Sequence, residues 1–270
     1  MIDRRRVGAL VRKDWNELTR SKQIMAPLVI IPLLFAIFIP SFVILLGNNP
    51  AVASSITGFG TFLETLPPGV VPAGYSLEQT AVYAVIVYFM APFFLIIPVM
   101  VASITASSSI VGEKERRTIE GLLYTPLTDR ELVLGKVLAS VVPAILIAWA
   151  SFLVYTVVVN TLGGPVLDGL FFPTWTWVVI VLALVPLVAF LATCLIVAVS
   201  GRSTTVQGAQ GAAVLIVLPV VGVVVSQASG LMLFDTAVAL GASGVLVVVD
   251  TVVFALVAGN IRRERILTQL

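Results

Sequence analysis

Six stretches of this 270-residue chain are almost purely apolar, at 24–46, 81–111, 132–160, 175–200, 206–228 and 236–260. Each exceeds the about 20 residues that an α-helix needs to cross a hydrocarbon layer roughly 30 Å thick. No single core could hide so much apolar surface: the hydrophobic fraction is 59% and the charged fraction 11%, against about 25% charged in soluble domains. With a mean hydropathy of +1.10, the chain reads as an all-α integral membrane protein, a single transmembrane domain of six helices. The second and third stretches are longer than a perpendicular crossing requires, so they tilt, kink or protrude into water.

The connections set the orientation. All 16 basic residues fall on one side: seven in 1–23, five in 113–136, then Arg202, and Arg262, Arg263 and Arg265 in the tail 261–270. The connections 47–80, 161–174 and 229–235 carry none. Lys and Arg mark cytoplasmic loops, so both termini and the 113–136 loop are expected in the cytoplasm, in a multi-pass protein of the plasma (cytoplasmic) membrane. The basic lead and the apolar stretch after it are too long for a cleaved signal peptide. Within that lead, Val7, Val11, Trp15 and Leu18 form one apolar stripe among basic residues. That pattern predicts an amphipathic helix lying flat at the membrane surface. On the opposite side, a short helix is expected around 59–66, stopped by Pro67 and Pro68.

The loop at 113–136, EKERRTIEGLLYTPLTDRELVLGK, concentrates 10 of the chain's 30 charges in 24 positions. Glu113 with Arg117 and Arg116 with Glu120 are i,i+4 pairs that support an exposed helix. Ile119, Leu122 and Leu123 give that helix an apolar face. Pro126 ends it, and Thr128-Asp129-Arg130-Glu131 is a capping box that starts the third membrane helix. A short amphipathic helix over 113–124 can lie on lipid or dock in a groove of another protein. The residues alone do not choose between the two.

The same loop resembles the signature of ABC-2 type transporter permeases. The matching positions are Glu113, Glu115, Thr118, Ile119, Glu120, Leu122, Leu123, Thr125, Pro126, Gly135 and Lys136, with Lys13-Asp14 ahead of the first span. One position departs: a Gly usually precedes the Thr, and Arg117 stands there. The resemblance implies the permease subunit of an ATP-driven exporter, a homodimer or a pair with a related permease, resting on two separate ABC ATP-binding subunits. The loop helix would be a coupling helix touching the ATPase through Glu113, Glu115, Arg116, Arg117, Ile119, Glu120, Leu122, Leu123 and Tyr124.

Other chemistries find little support. The one Gly-Lys pair, Gly135-Lys136, is followed by Val137 and has Arg130 where a P-loop needs Gly. The chain is therefore expected to be no enzyme and to bind no cofactor, with ATP and Mg²⁺ held by the partner ATPase. With no His and one Cys, a Cys/His metal site and a disulfide framework are both excluded. A net charge of +2 gives no footprint for nucleic acid. Inside the membrane, Asp250 is a carboxylate that costs about 2.5–3.5 kcal/mol at mid-depth. It is read either as a transport contact or as glue between helices. Gln207 and Gln210 are further candidates to line a pathway, and Pro98 and Pro219 are candidate hinges. A secondary transporter or channel without an ATPase partner is the competing reading.

Overall fold

Six helices long and apolar enough to cross a membrane run over Ile24–Gly47, Leu77–Glu113, Glu131–Gly163, Trp175–Ser200, Val206–Ala228 and Thr236–Val257. They are preceded by α1, Arg4–Arg20. In this computed structural model the described residues are 3–47, 63, 66–67, 69–115, 128–167, 169–200, 203 and 205–260. Among them the chain is all-helical and without strands. The expected helix at 59–66, the coupling-helix segment from 116 onward and the tail 261–270 lie outside the described residues, apart from residues 63 and 66. The second span sits centrally, packed by the third, fourth and fifth. The third also holds the first span and α1, while the sixth packs on the fourth.

Capping fixes where the spans begin. The second starts at Leu77, ahead of the apolar run, because Ser76 and Gln79 make a capping box. The Ser76 Oγ accepts from the Gln79 N–H at 3.2 Å, and the Gln79 Oε1 accepts from the Ser76 N–H at 2.9 Å. At the third span Thr128 and Glu131 form the box expected of their spacing, with bonds of 3.3 and 2.8 Å.

Proline shapes three of the spans. Widened π-helical turns cover Leu34–Phe38, Val85–Phe89 and Ile180–Leu184, each just ahead of Pro40, Pro92 or Pro186. A proline ring has no N–H to give and collides with the carbonyl four residues back. A wider turn relieves that collision and leaves carbonyls without helical partners. Neighbouring helices supply the donors. In the second span Ile86 O accepts from the Tyr155 hydroxyl at 2.9 Å, Val87 O from Trp177 Nε1 at 2.7 Å, and Tyr88 O from Gln227 Nε2 at 3.3 Å. In the fourth, Val181 O accepts from Trp149 Nε1 at 2.9 Å. Around these bonds Trp177 stacks on Tyr155 at 4.8 Å and meets Phe172 and Phe94 edge-on at 5.0 and 5.3 Å. The second span then leaves the helix for one residue at Leu95.

The buried face of α1 differs from the stripe expected. Val7, Leu10, Asp14 and Leu18 are buried, whereas Val11 is half-buried and Trp15 exposed. Apolar periodicity passed over Asp14, which goes inside because partners on other helices receive it. Close approach of α1 to the third span depends on Gly135. A Cβ there would lie 2.6 Å from Leu10 Cδ2 and 3.3 Å from Leu10 Cγ. Gly135→Ala is expected to destabilise by about 1–3 kcal/mol through overpacking. Combined with Leu10→Ala it should lose less than the sum of the two single changes, read by thermal unfolding in detergent. Strict additivity would show that the contact is loose.

Candidate functional site

Three helices bring charge to one buried point at the basic end of the bundle. Lys136, near the start of the third span, places Nζ 3.1 Å from Asp14 Oδ2 of α1 and 2.9 Å from Glu113 Oε1 of the second span. It also donates to the Ser109 carbonyl at 2.7 Å, so all three ammonium donors have acceptors. The Ser109 hydroxyl donates to Asp14 Oδ2 at 2.6 Å. Lys13 closes the cluster by donating to Glu113, and lies 3.4 Å from Asp14 and 3.5 Å from Glu17. Lys136, Asp14 and Glu113 are only 5%, 2% and 3% exposed. Charges so far from water persist only when paired and hydrogen-bonded. Burial alone would lower the Lys13 pKa, but the hydrogen bond and charge of Glu113, with Asp14 and Glu17, hold it above its usual value.

Asp14, Glu17 and Glu113 offer oxygens within 4.8 Å of one another, a spacing that could receive a cation. Lys13 and Lys136 lie against those same oxygens. The chain thus supplies its own counter-ions, and the cluster is an ion-pair network.

Both roots of the charged loop are tied back into the bundle. At its far root, Glu131 accepts from the Asp3 N–H at 2.8 Å while capping the third span. At its near root, Glu115 Oε1 accepts from the Val206 N–H at 3.0 Å, a carboxylate placed at the positive end of the fifth span. Gln210 adds a bond from Nε2 to the Ser107 hydroxyl at 3.2 Å. Glu113 and Glu115 were both expected to face a partner. Glu113 is turned inward, and Glu115 is exposed but engaged with the fifth span.

The profile of the family described as ABC-2 family transporter protein matches residues 8–239, most of the chain. The chain belongs to this family. It is therefore an ABC permease, a multi-pass membrane protein of a class that in general works with an ABC ATPase. No curated protein matches the sequence. In this ABC-2 permease the signature positions Glu113, Gly135 and Lys136, and Lys13-Asp14 beside them, converge on one junction.

The remaining candidates are dispersed. Arg116, Arg117, Ile119, Glu120, Leu122, Leu123 and Tyr124 lie outside the described residues. Gln207 is exposed and Gln210 sits in the seam between the fifth and second spans. Asp250 is in another seam, where the sixth span packs on the fourth near Cys194. Among the described residues, both of its buried carboxylate oxygens lack a hydrogen-bond partner. Pro98 opens the helix that follows Leu95, whereas the helix of the fifth span runs unbroken through Pro219. The fifth span tightens instead into a 3₁₀ turn at Gly211–Ala213. Sequence reading missed Tyr155, Trp177 and Gln227. A usable signal existed for all three, since a donor inside a span needs an acceptor and Pro92 frees carbonyls nearby.

Proposed function

We propose that this permease is one half of an ATP-driven exporter in the plasma membrane, with both termini cytoplasmic, working as a dimer on two separate ATP-binding subunits. The ATPase subunits would hold ATP and Mg²⁺, and this chain would hold neither. The observation behind the reading is the signature loop, both of whose ends are fastened to α1. Glu113 is fastened through Lys13 and Lys136, and Glu131 through the Asp3 N–H. Closure of the ATPases pushes on the loop helix, and the paired junction carries that push jointly to α1 and to the second and third spans.

Ile119→Asp with Leu123→Asp puts charge on the apolar face of the loop helix. It should abolish co-purification of the ATPase and cut transport-coupled ATP hydrolysis at least about tenfold, the effect of burying unpaired charge at an interface hot spot. Wild-type co-purification and hydrolysis in that variant would defeat the reading. Asp250 is the observation that favours a carrier without an ATPase, and transport by the reconstituted chain alone would establish that alternative.

Asp250 also separates its own two roles. A buried carboxyl without a partner destabilises a fold, so Asp250→Leu should raise the unfolding temperature while impairing transport. Asp250→Asn should keep assembly and impair transport. A lowered unfolding temperature in the Leu variant, with transport intact in the Asn variant, would leave Asp250 as packing glue.

A further inference from the structure

A cavity of about 340 Å³ lies between α1, the first span and the third span, with Thr105 of the second span also in its lining. Its wall is almost wholly apolar, contributed by Trp15 and Leu18 of α1, Leu28 and Ala36 of the first span, and Ile147 and Ala150 of the third. Along the first span the lining runs from Met25 to Ala36, about 16 Å at the helical rise of about 1.5 Å per residue. That is one leaflet's share of a hydrocarbon layer roughly 30 Å thick. Val29, Leu33 and Val154 on its rim are exposed, so the slot opens sideways, on the lipid-facing side of the bundle.

We infer that this slot binds one acyl chain of an anionic phospholipid, whose headgroup is held by Arg12 and Lys22. The inference stands on family membership and the membrane spans, and needs no ATPase. Lys22 lies one turn before Met25 on the same face of the first span, and Arg12 lies one turn before Trp15 on α1. Both are exposed, and Glu17, the half-buried acid that α1 adds to the junction, is engaged by Lys13. Trp15, one turn after Arg12, lines the slot and is exposed, and indole rings favour the depth of the headgroups. A second copy of the chain would have to insert a helix of about 10 Å diameter, which a slot of this size does not admit.

Native mass spectrometry of the full chain in detergent, titrated with phosphatidylglycerol or with phosphatidylcholine of the same chains, tests the site. One phosphatidylglycerol should be retained with about tenfold preference or more, as two basic residues at a headgroup imply. Arg12→Gln with Lys22→Gln should erase that preference, and Ala150→Trp, which fills the slot, should reduce retention of both lipids at least about fivefold. Independently of folding in those variants, phosphatidylglycerol with brominated chains should quench a fraction of the wild-type fluorescence that is missing in Trp15→Phe. Equal retention of the two lipids by the wild type, or no Trp15-dependent quenching, overturns the inference. So does a photoreactive group at Ala150 that captures a second copy of the chain.

Discussion

Lys136→Met should lower the unfolding free energy by about 3–5 kcal/mol, the loss typical when one member of a buried ion pair is removed. The methionine fills nearly the same volume, so the effect is electrostatic. Asp14, held by Lys136 and the Ser109 hydroxyl, loses its strongest counter-charge while remaining 2% exposed. Glu113 keeps only Lys13 of its two lysines. Adding Asp14→Asn to the Met variant should recover part of the loss, a coupling expected of directly paired groups. Denaturant or thermal unfolding of the purified chain measures both. A change under about 1 kcal/mol is what a solvated surface pair gives, and would place the junction in water.

Trp177→Ala should cost about 3–5 kcal/mol, the range for deleting a large aromatic from a packed core. Trp177 is fully buried, and its ring contacts Tyr155, Phe172, Phe94 and Phe152. Trp177→Phe separates packing from hydrogen bonding. It keeps most of the aromatic contact but leaves Val87 O without its donor, a loss of about 1–3 kcal/mol. If the Phe variant unfolds like the wild type, the Val87 carbonyl has found another partner and the widened turn does not depend on Trp177.

Most of the architecture was readable because lipid forces it. A span must satisfy its own backbone and be apolar, so six helices, the basic end and the Thr128–Glu131 cap all left local marks. Contacts between helices left fewer. Asp14 entered only as part of the Lys13-Asp14 pair ahead of the first span, and only the third dimension shows Lys136 and Ser109 waiting for it. Gly135-Lys136 was weighed as a fragment of a phosphate loop and as a family mark. Its physical work, admitting Leu10 and holding Asp14, depends on a helix more than a hundred residues away in sequence. The helix of the second span begins ahead of its apolar stretch because Ser76 and Gln79 act through side-chain capping, which hydropathy does not weigh. Asp250 was legible as an oddity from its neighbours alone. That its oxygens would lack a hydrogen-bond partner among the described residues was not, because a partner on another helix is invisible along the chain.

The widened turn at Val85–Phe89 fixes how the second span can move. Its carbonyls are gripped from three directions, by Tyr155, Trp177 and Gln227 on three different helices, and the helix gives way only six residues later, at Leu95. The gripped half cannot swivel without releasing several donors together, whereas the half bearing Glu113 is tied at its tip to α1, to the third span and to the fifth. Such a rod behaves as a crank: an anchored bearing, an elbow, and an arm that ends in the ion-paired fist.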